Sequence, residues 1–119
     1  MVSFDKERAE NIKGLISSFA HHEPPFTSLG TPFLVDTETT QALVKIGKPA
    51  LPALIEALDS QDPKIVMYAA YCIGQIGYSY VLPELRRTKH RFIAKEPKVE
   101  YDFGVISAIN QAEDKMSKY

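Results

Sequence analysis

Asp62-Pro-Lys-Ile-Val-Met-Tyr-Ala-Ala-Tyr-Cys-Ile-Gly-Gln-Ile-Gly77 is the stretch that decides the fold. Asp62 suits an N-cap, because its carboxylate can accept an early helical N–H, and Pro63 falls at the first helical position, where a missing amide proton matters least. Gly77 is placed to end the helix in a left-handed conformation. Between them Ile65, Ala69, Cys72, Ile73 and Ile76 recur at i, i+4, i+7, i+8 and i+11, the spacing of one helical face.

Outward from this helix the chain reads the same way. Upstream, Ala50, Leu51, Leu54, Ile55 and Leu58 predict a helix over Pro49 to Leu58, with Pro49 and Pro52 in its first turn and Asp59-Ser60-Gln61 turning the chain. Before it, Asp36 is the expected N-cap of a helix through Ile46, with Thr39, Ala42, Leu43 and Ile46 on one side and Gly47 ending it in a left-handed turn. The first helix starts at Ser3, with Asp5 and Glu7 opposing the positive dipole end and Ile12, Leu15, Ile16 and Phe19 forming the apolar face. From His21 to Pro32 three prolines and a glycine predict a loop, the longest in the chain. Downstream, Leu82, Leu85, Phe92 and Ile93 predict a helix over Tyr80 to Lys95. Val99, Phe103, Ile106, Ile109 and Ala112 predict a last helix over Pro97 to Met116. No segment alternates like a strand, so the expected class is all-α.

The chain has 119 residues, one domain's worth, enough to bury roughly 65% of its unfolded surface. With 14 Lys and Arg against 15 Asp and Glu, no whole-chain field draws it to nucleic acid or anionic lipid. The single cysteine, Cys72, sits in an apolar helical pattern and suits a buried thiol in a reducing compartment. No apolar run reaches the roughly 18 residues of a membrane span, so a cytoplasmic protein without membrane partners is expected.

Laid on itself, the chain repeats. Leu51-Pro52 recurs as Leu82-Pro83, 31 residues on, and Ile46-Gly47 recurs as Ile76-Gly77, 30 on, a period that suggests a solenoid. Pro49 to Leu58, the turn Ser60 to Pro63 and Ile65 to Gly77 together resemble the short bacterial HEAT repeats also found in phycobilin lyases. In that family the second helix typically reads Asp-Pro-x-Val-Arg-x-x-Ala-Ala-x-Ala-Leu-Gly-x-Ile-Gly. This chain matches it at Asp62, Pro63, Ala69, Ala70, Gly74, Ile76 and Gly77, with Ile65, Cys72 and Ile73 as conservative replacements. The last helix keeps Pro97, Val99, Ile106 and Ile109 but has Asn110 where a glycine would end the pattern. The resemblance implies a short right-handed α-solenoid, a HEAT-like α-α superhelix of about three helical hairpins (about 3–47, 48–77 and 79–116) in one domain.

Where the family pattern places Arg or another charged residue, this chain has Val66, Met67 and Tyr71. In a HEAT-like stack the second helix lines the concave, usual binding face. The resemblance therefore implies an outward apolar patch of Val66, Met67 and Tyr71, which fall within about 140° of each other on a helix. Tyr68, Tyr78 and Tyr101 extend it, and the alternative is burial of this face within the chain or against a second copy. The function expected is a non-enzymatic interaction module for a protein partner or itself, with no cofactor. By analogy the resemblance also permits an accessory subunit of a phycobilin-type lyase.

Other candidate features read as structural. The run Arg86-Arg87-Thr88-Lys89-His90-Arg91 could grip phosphates, which makes nucleic-acid binding the second alternative, but Lys48 and Lys64 alone support it from the preceding hairpin. The absence of tryptophan and of a basic groove argues against the HEAT-like DNA glycosylases. His21-His22-Glu23 lacks further ligands for a metal, with His90 the other histidine. Asp102 is expected to cap a helix or pair with a neighbouring cation, and no acid–base pair requires catalysis.

Overall fold

The computed structural model describes residues 4–28, 32, 34 and 36–117, and every regular element among them is helical. Helix α1 spans Phe4–Ser18 and tightens into a 3-10 turn at Phe19–His21. Then follow α2 (Glu38–Ile46), α3 (Leu51–Ala57), α4 (Pro63–Ile76), α5 (Leu82–Ala94) and α6 (Glu100–Met116), with 3-10 turns leading into α3 and α5. The expected cap Ser3 and the side chain of Asp5 lie outside the described residues, as do Leu29, Gly30 and Thr31 of the proline-rich loop. No helix among the described residues is long and apolar enough to cross a membrane.

The caps of α4 form as its sequence dictates. The Lys64 N–H donates to Asp62 Oδ1 at 2.9 Å, and Gly77 adopts φ +87 and ψ 24 while its N–H reaches the Ile73 carbonyl at 3.0 Å. Helix α2 starts one residue later than expected. Thr37, not Asp36, is its N-cap: the Thr40 N–H donates to Thr37 Oγ1 at 3.1 Å and the Thr37 N–H to Thr40 Oγ1 at 2.8 Å, a reciprocal box of two hydroxyls. The Asp36 carboxylate is engaged elsewhere, accepting from the Tyr71 hydroxyl at 2.5 Å. Gly47 has the expected positive φ of 76 but a ψ of −138, so it leaves α2 extended instead of in the left-handed helical region. Helix α6 begins at Glu100, not Pro97. Asp102 is fully buried in its first turn, where it accepts from the Val99 N–H at 2.7 Å and from Lys95 Nζ at 3.0 Å. The Glu96–Pro97 peptide before it is cis.

The helices form a slab of 51 × 32 × 23 Å, about two helix diameters thick. Consecutive helices pack as α1 on α2, α3 on α4 and α5 on α6, while α1 also meets α3, α2 meets α4, and α4 meets α6 over the largest contact in the molecule. Helix α4 is thereby enclosed. Val66, Met67, Tyr68, Ala69, Ala70, Cys72, Ile73 and Gly74 are all buried, more than one face of a helix can hold.

Two close approaches set the α4–α6 distance. A Cβ at Gly74 would stand 2.7 Å from Ala112 Cβ and 2.9 Å from its Cα; at Gly104 it would stand 2.4 Å from Met67 Sδ and 2.8 Å from Pro32 Cγ. Position 67 thus faces 104 and 74 faces 112, so α4 and α6 run in the same direction.

The two glycines differ in what a methyl would strike. At Gly104 the obstacles include the flexible Met67 thioether, whereas at Gly74 they are Ala112 and its backbone. Gly74→Ala gains about 1 kcal/mol of helix propensity and loses about 1–3 kcal/mol or more to overpacking that a main-chain shift alone can relieve. A net fall in the urea midpoint is expected, and an unchanged or higher midpoint would contradict the α4–α6 contact described here.

Candidate functional site

The expected outward patch is overturned in its main part. Val66 and Met67 are both 0% exposed, because α6 and the segment through Pro32 cover the side of α4 that the sequence pattern leaves open. Tyr68 is buried too. It stacks on Phe19 with ring centroids 4.7 Å apart, and the His22 ring meets both edge-on at 5.1 Å. His22 also spans two elements, with Nδ1 3.0 Å from the Ser18 carbonyl and Nε2 3.4 Å from Thr37 Oγ1. Its place is a junction between the end of α1, the start of α2 and the middle of α4. Lys64 Nζ donates to the His22 carbonyl at 3.0 Å and sits 5.2 Å from the Tyr101 ring centroid. Tyr101 is half-buried beside Phe26. Tyr78 lies at the far end of α4 with Lys48 and Tyr80, away from the others. The five residues Val66, Met67, Tyr68, Tyr71 and Tyr101 therefore do not converge on one surface.

Tyr71 keeps partial exposure. Burial pushes its hydroxyl up to about 12, helped by the hydrogen bond to Asp36 and by that carboxylate's charge. Cys72 next to it is fully buried. Desolvation raises its thiol to about 12, with the Asp36 charge a second cause, so it remains protonated at neutral pH. Burial, followed by the neighbouring Tyr101, raises Tyr68 as well.

The basic run on α5 is dispersed rather than gathered. Arg87 pairs with Glu84 on its own helix, and Lys89 Nζ stands 2.6 Å from Glu113 Oε1 and 3.3 Å from Asn110 Oδ1 on α6. Arg91 donates to the Leu58 carbonyl at the end of α3 at 2.5 Å, and Thr88 is buried.

Two open clefts border the helices. One of about 270 Å³ lies between α1 and α3, lined by Lys13, Ser17 and Glu56 over Ile16, Ala53 and Ile65. No hydrogen bond or ion pair joins its three polar side chains. The other, about 200 Å³, lies where Arg91, Phe92 and Lys95 face Ser60 and Gln61. Its two cations are already engaged, Arg91 with Leu58 and Lys95 with Asp102.

A different surface emerges on the α5–α6 hairpin. Ile93 is 50%, Val99 51% and Phe103 50% exposed, although the periodicity assigns all three to core stripes. The ion pairs Lys89–Glu113 and Lys95–Asp102 fix the antiparallel register and bring Ile93 level with the stretch from Phe103 to Ile106. The signal was present in the sequence. Phe103 and Ala112 are nine residues apart, which at about 100° per residue sets them on opposite sides of α6. The apolar residues of that helix form two stripes, and the second, through Val99 and Phe103, is exposed.

No protein-family model, no curated protein and no solved structure matches this chain.

Met67→Arg should lose at least the about 2–5 kcal/mol of a core methionine truncation, plus the cost of an unpaired buried charge. Phe103→Glu should shift stability by less than about 1 kcal/mol. Urea unfolding followed by circular dichroism separates them, and equal stability of the two variants would contradict the burial described. A second expectation concerns alkaline pH. Tyr68, Tyr71 and Cys72 hold their protons in the folded chain at pH values where the unfolded chain, with ordinary values of 10.0 for tyrosine and 9.0 for cysteine, is losing them. Their contribution is complete below about pH 9 and is lost as pH rises through the folded values, about 12 for Tyr71 and Cys72 and raised above the ordinary 10.0 for Tyr68. The urea midpoint should fall across that window, and Tyr71→Phe should make the fall shallower.

Proposed function

We propose that this chain is a non-enzymatic interaction module, a short HEAT-like stack of three hairpins that binds a protein partner or a second copy of itself. The helix contacts support the stack: α1–α2, α3–α4 and α5–α6 form the rungs, while α1–α3, α2–α4 and α4–α6 join one rung to the next. The parallel course of α4 and α6, the second helices of successive hairpins, is what stacking of repeats requires.

The observation that carries the binding reading is the strip of Ile93, Val99 and Phe103, each half-exposed; among the described residues the other exposed large apolar side chains are Phe26, Tyr78 and Tyr80. With Val66 and Met67 in the core, the contact face is proposed on the outer side of the α5–α6 hairpin, opposite the rung formed by α3 and α4.

A photo-reactive phenylalanine analogue introduced at Phe103, in the chain expressed in its native host, tests this. A discrete cross-linked species is expected on irradiation, with none when the same residue replaces exposed Glu10 on α1. Absence of any cross-link from positions 103 and 93 would overturn the module reading.

A further inference from the structure

We infer that the partner of the α5–α6 face is a second copy of this chain, docked about a two-fold axis running along the hairpin. The inference rests on the reading of the chain as an interaction module and names its occupant.

The face is self-complementary, in charge as well as in apolar surface. Helix α5 carries Arg86, Arg87, Lys89 and Arg91 against Glu84, a formal charge of +3; α6 carries Glu100, Asp102, Glu113 and Asp114 against Lys115, a formal charge of −3. Pairs within the chain consume part of this separation, through Arg87–Glu84, Lys89–Glu113 and Lys95–Asp102. Arg86 on α5 and Asp114 on α6 remain exposed, and among the described residues no side-chain ion pair holds either. A free cation on α5 and a free anion on α6 therefore flank the apolar strip. A second copy turned about a two-fold axis presents the complement of each beside an identical strip.

A two-fold axis parallel to the hairpin sets α5 of one copy over α6 of the other at the same level. The register then places Ile93 nearest Phe103 of the second copy, with Val99 toward the loop end of the strip, and Arg86 within a turn of Asp114 of the second copy. The result is four helices in two crossed pairs, with the apolar strip at the centre and the Arg86–Asp114 contacts toward one end. The face measures about 20 Å by 20 Å from the helix dimensions. That is smaller than the roughly 800 Å² a side of a standard stable interface, so a weak dimer is expected, dissociating at about 1–100 μM.

Sedimentation velocity on the full chain, from about 1 to 500 μM to bracket that range, should show the mass rise from 13.3 kDa toward twice that value. Phe103→Glu, or Ile93→Glu if the first variant misfolds, should remain monomeric throughout with an unchanged circular dichroism spectrum. Arg86→Asp alone should weaken pairing about three- to tenfold, and the swap Arg86→Asp with Asp114→Arg should restore it. A monomer at every concentration, or a dimer indifferent to Phe103→Glu and Ile93→Glu, overturns the inference. So does a swap that fails to recover what Arg86→Asp loses. A cross-link from position 103 to a different protein, with the purified chain monomeric, would overturn self-pairing and leave the module reading standing; no cross-link at all would remove both.

Discussion

The contact between α4 and α6 at Gly74 and Gly104 is the constraint on which the remaining packing depends. Ala112 against Gly74, and Met67 against Gly104, leave no room for a side chain, so the two helix axes come close and run in parallel. Close parallel packing of two non-consecutive helices requires the intervening helix, α5, to pass back along the outside. That passage places α5 on α6 and ties its end to the end of α3 through Arg91 and the Leu58 carbonyl. On the other side, α1, α2 and the segment through Pro32 close over the rest of α4. With Val66, Met67 and Tyr68 covered, the side of α4 that the sequence leaves apolar has no surface to offer, while Tyr71 and Gln75 still reach solvent.

The polar groups around this core serve as joints. His22 links the end of α1 to the cap of α2 and meets the Tyr68 ring edge-on. The Tyr71 hydroxyl holds Asp36 and so anchors the residue that precedes the cap of α2. Asp102, wholly buried, ties the last turn of α5 to the first turn of α6 through Lys95 and the Val99 amide. Asp102 is the one of these groups that burial would otherwise leave without a partner, at a cost of about 1–3 kcal/mol. Their shared effect is to hold the helices in one arrangement while Ile93, Val99 and Phe103 stay half-exposed on α5 and before and within α6.

Local chemistry was legible wherever a residue acts on its immediate neighbours. Asp62, Pro63 and Gly77 bound α4 as their types require, and Ile12, Ile16 and Phe19 bury the face of α1 that their spacing marks. The role of Asp102 as cap and ion-pair partner was also readable. Asp36 was not, because two adjacent residues, Asp36 and Thr37, can each cap α2, and the choice falls to a tyrosine 35 residues away in sequence. The exposure of Ile93, Val99 and Phe103 was missed for a related reason. Apolar spacing shows that a helix has an apolar side, but a helix with two such stripes does not reveal which of them a neighbour will cover.

The amino-acid sequence by itself determined an all-helical chain, the approximate extent of its helices, the capping of α4 and the character of each helical face, because these follow from backbone propensities and contacts within a few residues. Only the tertiary structure decided which faces meet. Val66 and Met67 were coded as apolar on a side of α4 where a polar surface was expected; whether that meant a partner or a core depended on α6 arriving close enough to cover them. Two glycines far apart in sequence allow that approach, and no local pattern states that they will face the helices they do.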